Sequence, residues 1–241
     1  MIALLPVRGL PEVRAGDDLS ALVAGAVELE DGDVVVVSQK VISKAEGRVV
    51  ALADVVASER AHELAGGERD PRELETVLRE ARRIVRERAP LVIAETRHGF
   101  VGASAGVDHS NATDRDTLVL LPLDPDASAR RLRDGLLART GRTVGVIVSD
   151  SFGRPFRNGT VDVAIGVAGV PALLDLRGTL DRSGQELRST QVAIADELAS
   201  AADLVRGKAD GVPVVVVRGL AQTGDGTAAE LVLDAGRDLF R

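Results

Sequence analysis

One stretch gathers most of the reactive side chains in this chain: Ser149-Asp150-Ser151-Phe152-Gly153-Arg154-Pro155-Phe156-Arg157-Asn158-Gly159-Thr160. An acid, three hydroxyls, two arginines, an amide and two glycines follow the apolar run Val144 to Val148. Such a run reads as a buried strand, and a loop at its end is where a rigid scaffold presents chemistry. The mixture suits a metal-bridged polyphosphate. A carboxylate and a hydroxyl hold a hard cation, arginines neutralise phosphate oxygens, and glycines let the backbone come close.

Three more polar clusters stand at the ends of apolar runs: Leu10-Pro11-Glu12-Val13, Ser38-Gln39-Lys40 with Lys44, and Ala105-Gly106-Val107-Asp108-His109-Ser110-Asn111. None matches G-x-x-x-x-G-K-[ST] or a G-x-G-x-x-G after a strand, so phosphate binding here needs another geometry. Each cluster also has a plainer explanation. Asp108 and Asp150 suit turns and caps. Lys40 and Lys44, at helical spacing, suit a solvated face. Arg154 and Arg157 suit structural ion pairs as well as phosphate or carboxylate clamps. His62 lies in a charged helical stretch and reads as surface, and His98 is a loop histidine with no identifiable partner. No serine sits in a nucleophile elbow, so no Ser-His-Asp triad is argued.

The elements that must position these groups alternate irregularly. Strands are expected at Ile2–Val7, Val34–Val37, Leu91–Ala94, Thr117–Leu121, Thr143–Val148, Val161–Val167, Ala172–Leu176 and Val212–Val217, with a short small-residue stretch at Phe100–Ala105. Helices are expected over Asp18–Val27, most of 52–88, from Asp124-Pro125 through Leu137, over Ser189–Val205 and over Ala228–Phe240. In the second of these, Asp70-Pro71 makes a helix start, and Leu74, Val77, Leu78, Ala81, Ile84 and Val85 form the apolar stripe. The segment 91–121 reads as consecutive strands. The expected fold class is therefore α+β or mixed α/β, a mixed sheet packed with helices rather than a pure doubly wound fold. One domain over 1–241 is expected, with no repeat, low-complexity tract or long linker.

Composition narrows the function. Apolar residues make up 45% of 241 residues, and aromatics only 2%, with no Trp or Tyr. The core must be aliphatic, and the aromatic platforms of base-stacking nucleic-acid binders are lacking. A net charge of −7 argues the same way against a general phosphate-backbone binder. The absence of Cys excludes thiol catalysis, cysteine-ligated zinc and disulfides. No run approaches the length of a membrane span, nor does the N-terminus look like a signal peptide. A soluble, cytoplasmic protein is the expectation.

Taken in order, the clusters resemble the coenzyme F420-0:γ-glutamyl ligase family. The resemblance runs from Leu5-Pro6-Val7-Arg8-Gly9-Leu10-Pro11 through Ser38-Gln39-Lys40-Val41-Ile42-Ser43-Lys44-Ala45-Glu46-Gly47-Arg48 and Ala105 to Asn111. It continues through Asp150-Ser151-Phe152-Gly153-Arg154-Pro155-Phe156-Arg157, the stretch Asp196 to Val205, and Val217-Arg218-Gly219. The resemblance implies a GTP-dependent enzyme that joins L-glutamate to the tail carboxylate of coenzyme F420-0 through an acyl phosphate, then adds further γ-linked glutamates. It implies Mg2+ or Mn2+ as two ions, potassium as an additional candidate, and an intertwined homodimer. It leaves open a stand-alone enzyme and the N-terminal ligase half of a bifunctional protein.

Carried over by position, the resemblance makes Asp108, Asp150 and Ser151 metal ligands. It assigns Leu10, Pro11, Glu12, Val13, Gln39, Lys40, Lys44 and Asn111 to the GTP site, together with the stretch holding Gly207 and Lys208. An ammonium cannot ligate a metal, so Lys208 suits phosphate. Arg154 and Arg157 are the candidate catalytic clamps. A related ligase with another acceptor, or a non-catalytic GTP-binding module, would share several of these features.

Overall fold

The computed structural model describes residues 1–109, 116–207, 210–220 and 224–239. In chain order the elements are β1 (Ala3–Val7), α1 (Leu19–Ala26), β2 (Val34–Ser38), α2 (Gln39–Ala45), β3 (Val49–Ala51), α3 (Glu59–Ala65), α4 (Pro71–Glu80), β4 (Ala81–Arg88) and β5 (Leu91–Thr96). They continue as β6 (Val101–Ala103), β7 (Thr117–Val119), α5 (Pro125–Thr140), β8 (Gly145–Gly153), β9 (Thr160–Ala168), β10 (Leu174–Asp175), β11 (Gln191–Val192), α6 (Ile194–Arg206) and β12 (Val214–Arg218).

Runs of valine build the centre. Val34-Val35-Val36-Val37 and Val214-Val215-Val216-Val217 are β-branched, which suits a pleated sheet, and all eight are buried. They sit in a five-stranded sheet of order β1-β12-β2-β8-β9. Strands β2 and β8 are parallel, and every other neighbouring pair is antiparallel. The sheet is therefore mixed, as expected. Alternation sends Val35, Val37, Val146 and Val148 into one core with Leu132 and Leu136 of α5 and Val23 of α1. Val34, Val36, Ile147 and Val215 go into a second core against Leu198, Ala199 and Ala202 of α6. Ile147 is wholly buried, so truncating it to alanine would cost about 2–5 kcal/mol.

A smaller unit leans on this frame. Strands β4-β5-β6 form an antiparallel sheet, and α3 and α4 pack on it through Leu64, Leu74, Val77, Val92 and Ala94. Helix α4 starts as the sequence indicates: Asp70 caps it by accepting from the Arg72 N–H, and Pro71 opens it. Helix α5 does the same, with Asp124 accepting from Ala127, and runs past Leu137 to Gly141 at φ +67°.

Several expectations are corrected. The helix drawn through residue 88 stops at Glu80, and Ala81–Arg88 is a strand paired with β5. Two irregularities in that pairing break the alternation of period two. Ile84 and the consecutive Val85, at the second irregularity, are both half-buried, and together with Ala81 they imitate a helical stripe. The stretch 52–88 also opens with a 3-10 turn at Leu52–Asp54 before α3. The helix expected from Ser189 begins at Ile194, because Gln191–Val192 pair with Leu174–Asp175 in a two-stranded ribbon. Only Leu174–Asp175 of the Ala172–Leu176 strand is realised.

The final helix is reduced to a 3-10 turn at Ala228–Leu231, opened by a capping box between Thr227 and Glu230. Beyond it Asp234 accepts from the Gly236 N–H, a local bond that competes with helix continuation. Among the described residues no helix is long and apolar enough to cross a membrane.

Candidate active site at the ends of two parallel strands

Strands β2 and β8 run side by side, with Ser38 opposite Ser149. Their carboxyl ends therefore open at the same edge of the sheet, the usual ligand position in sheets of this kind. A cleft of about 570 Å³ lies there. Leu10, Pro11, Glu12 and Val13 line it from the segment after β1, and Ser38, Lys40, Val41 and Lys44 from the β2–α2 junction. Ser149, Asp150, Ser151 and Asp162 form its floor, and Asp203, Arg206 and Gly207 close it from the end of α6.

The reactive stretch is not one loop. Strand β8 continues to Gly153, so Asp150 and Ser151 project from a paired strand, and only residues 154–159 form the turn to β9. A register shift between Val148 and Ser149 marks where the regular apolar strand gives way to the polar floor. Bulges near sites re-aim side chains in this manner.

The two faces of this strand end carry different groups. Ser151 stands opposite Asp162, and its Oγ donates to Asp162 Oδ1 at 2.6 Å. Ser149 Oγ donates to Oδ2 of the same carboxylate at 3.0 Å. Arg206 Nη1 donates to both Asp162 Oδ2 and Ser149 Oγ. The pair is deep: the Asp162 side chain is 3% exposed and that of Arg206 is 9%. Burial lowers the Arg206 pKa, and the Asp162 charge opposes that shift. Arg206 Nε and Nη2 are buried with no hydrogen-bond partner among the described residues.

Asp150, between the two serines, points the other way. Burial raises its carboxyl from 3.8 to about 7. The Ser151 backbone N–H and Lys40 pull against this shift, while Asp108 and Asp162 push it further up. Lys40 Nζ lies 2.6 Å from Asp108 Oδ2. Lys44, almost buried, donates to Glu12 Oε1 at 2.5 Å.

Backbone geometry sets up this edge. Ser104 and Ala105 hold positive φ values of 54° and 51° just before Asp108. Gly106 follows at φ +71°, where an added Cβ would meet Leu121 at 2.7 Å. Gly207 ends α6 at φ +63°, where a Cβ would run into the Asp210 carboxylate. A side chain at either position would strain the backbone and make Leu121 or Asp210 move aside.

Most of the residues singled out from the sequence converge here. Leu10, Pro11, Glu12, Val13, Lys40, Lys44, Asp150, Ser151 and Gly207 line the cleft, and Asp108 joins through Lys40. Gln39 does not line it. It is wholly buried in α2, accepts from Ser43 Oγ at 2.8 Å, and leaves Nε2 without a partner among the described residues. Arg154 and Arg157 stand on the β8–β9 turn outside the lining, where Arg154 donates to the Asn158 carbonyl and Arg157 is exposed. Asn111 and Lys208 lie outside the described residues.

His98 is tied down structurally, bonded to the Leu123 carbonyl and stacked on Phe100, and burial lowers its pKa. His62 is exposed, as expected.

Sequence reasoning missed Asp162, Asp203 and Arg206. Asp162 carried a usable signal. It is the one charged residue in the strand Val161 to Val167, and a buried carboxylate there demands a cationic or hydroxyl partner.

The sequence matches the F420-0:Gamma-glutamyl ligase family over residues 9–219. The chain belongs to this family. It is 50% identical over 223 residues to a protein of Halorubrum lacusprofundi named coenzyme F420:L-glutamate ligase, an alignment covering 89% of this chain and 86% of that one. A protein of the same name from Methanopyrus kandleri is 48% identical, covering 95% of this chain and 94% of its own. Another from Methanothermobacter thermautotrophicus is 44% identical, covering 100% and 99%. The family match begins at Gly9, beside the first cleft segment, and ends at Gly219, just past β12. It thus spans every segment that lines the cleft.

Proposed function

We propose that this chain is a coenzyme F420:L-glutamate ligase whose reaction takes place in the cleft at the ends of β2 and β8. The observation that carries this reading is the convergence of Lys40, Lys44, Asp150 and Ser151 from separate segments into one cleft of a family member. The name shared by the relatives points the same way.

The proposed reaction uses GTP. The tail carboxylate of F420-0 attacks the γ-phosphorus, the bond to the bridging oxygen breaks, and GDP leaves with an acyl phosphate formed. The glutamate amine then attacks the acyl carbon. It loses a proton to solvent, and inorganic phosphate leaves with the electron pair of the broken C–O bond. Repetition on the γ-carboxylate extends the tail. The first step brings two anions together, so catalysis is mostly positioning and charge neutralisation. Lys40 and Lys44 supply fixed positive charge to the triphosphate. Leu10 to Val13 and Gly207 form the walls against which the nucleotide packs.

Magnesium or manganese suits the donors present. Asp150, Asp108 and Ser151 offer hard oxygen atoms, and a carboxyl raised by burial and by neighbouring carboxylates is relieved by a cation. Among the described residues no three acidic or imidazole side chains enclose an ion on their own. Any ion held here would complete its shell with waters and substrate phosphates. When bound, such ions would absorb charge on the transferring phosphoryl group. Potassium is an additional candidate, and a homodimer is proposed on the family resemblance.

Incubation with F420-0, L-glutamate, Mn2+ and GTP or ATP, with and without K+, tests the reading by product mass and phosphate release. Addition of glutamyl units with GTP is expected. Nucleotide binding without turnover would favour a binding module or another acceptor. No binding and no turnover would remove the assignment.

A further inference from the structure

Three donors converge on one buried carboxylate. Asp162 Oδ1 accepts from Ser151 Oγ, and Oδ2 accepts from Ser149 Oγ and Arg206 Nη1. Its backbone is held as well, since it pairs with Ser151 across the hairpin and its carbonyl accepts from Ser200 Oγ at 2.7 Å. Both carboxylate oxygens are therefore engaged, and the side chain is held in one orientation in the cleft floor.

The consequence falls on Ser151. A carboxylate accepts hydrogen bonds, so the short bond to Asp162 takes up the serine proton. Whatever else the Ser151 oxygen meets, it meets as an acceptor. A hydroxyl free to rotate could offer its proton instead. We propose that Asp162 is a positioning residue that fixes the Ser151 hydroxyl so that its oxygen enters the cleft as a lone-pair donor to a divalent cation. Arg206 and Ser149 complete the device by fixing Asp162. Partners of this kind, one bond removed from the ion, orient ligands and tune affinity. The inference rests on the metal reading above.

The test is a Mn2+ titration of the metal-free protein, read by the electron paramagnetic resonance of free Mn2+ and needing no turnover. Ser151→Ala and Asp162→Asn are each expected to weaken Mn2+ binding about 10–100-fold. The double variant is expected to bind no worse than the weaker single variant, because both changes remove one interaction. Ser151→Thr, which keeps the hydroxyl, is expected to bind close to wild type.

Asp162→Asn leaves Arg206 without its partner, so the charge-balanced Asp162→Asn/Arg206→Gln is measured beside it, with thermal melting of each. Wild-type affinity in a folded Asp162→Asn protein would overturn the proposal, as would losses that multiply in the double variant. Failure of both Asp162 variants to fold would assign the residue to structure and overturn it as well. If wild type binds no Mn2+ at all, the metal reading itself falls, an outcome distinct from the others.

Discussion

On one side of the end of β8, Ser149 and Ser151 join the buried Asp162 and Arg206 in one hydrogen-bonded network. On the other, Asp150 stands near Lys40 and Asp108 with its carboxyl raised to about 7. The same three consecutive residues thus feed two unlike environments. In the first, opposite charges are paired and two hydroxyls donate to the carboxylate, so Asp162 itself is satisfied. In the second, Asp108 and Asp162 push the Asp150 carboxyl up while Lys40 pulls it down, and an added cation would lower the energy of the charged group. The closed side is built to hold geometry. The open side is built to receive charge.

Breaking the open side should have the largest effect. Asp150→Asn keeps the shape and removes the charge, and is expected to lower ligation at least about 10²–10³-fold, with the melting temperature unchanged or raised. Mass analysis of the product and a melting curve check this. Full activity with unaltered metal dependence would take Asp150 out of the site.

Breaking the closed side should be felt as stability. Asp162→Ala strands the Arg206 charge in a buried position and is expected to cost about 3–5 kcal/mol, read from the shift in urea midpoint at constant slope. A change within about 0.5 kcal/mol would show that the network contributes little.

The difference between the sides also has a pH signature. The folded protein holds the Asp150 proton up to about pH 7, whereas the unfolded chain releases it near 3.8. Metal-free stability from this group is therefore greatest at low pH, falls as pH rises between these values, and is level above. Mn2+ should raise the melting temperature more at pH 8 than at pH 5.5, and its affinity should gain about tenfold per pH unit below 7 as it displaces one proton. Lys40→Ala removes a neighbour that favours the charged form, so it should move that midpoint upward by about one unit. A pH-independent affinity, or a downward shift, would contradict the assignment.

The smallest effect is expected on the exposed turn. Arg157→Ala should change stability by less than about 0.5 kcal/mol and leave the Michaelis constants for GTP, F420-0 and L-glutamate within about threefold. A larger rise in any of them would bring the turn into the site.

Much of the frame was legible because its physics is local. Four successive valines in β2 and again in β12 announce buried strands, and Asp70-Pro71 and Asp124-Pro125 announce helix starts. What failed was decided by pairing at a distance. Ala81–Arg88 carries a helical stripe yet pairs with β5 through two irregularities, and Asp234 diverts the last segment into turns.

The site divides in the same way. Leu10 to Val13, Lys40, Lys44, Asp150 and Ser151 could be picked out because they punctuate apolar runs. Asp162 and Arg206 lie inside a strand and at the end of a helix, where type alone gives no role. Their meaning comes from the register that sets Ser151 opposite Asp162.

The most direct test of this division is crystallographic. Crystals soaked with Mn2+ and a non-hydrolysable GTP analogue should show anomalous scattering from Mn2+ bonded to Asp150 and Ser151, with Asp162 still joined to Ser151 and Arg206 behind them. Manganese bound instead by Asp162, or seated away from the ends of β2 and β8, would contradict the account.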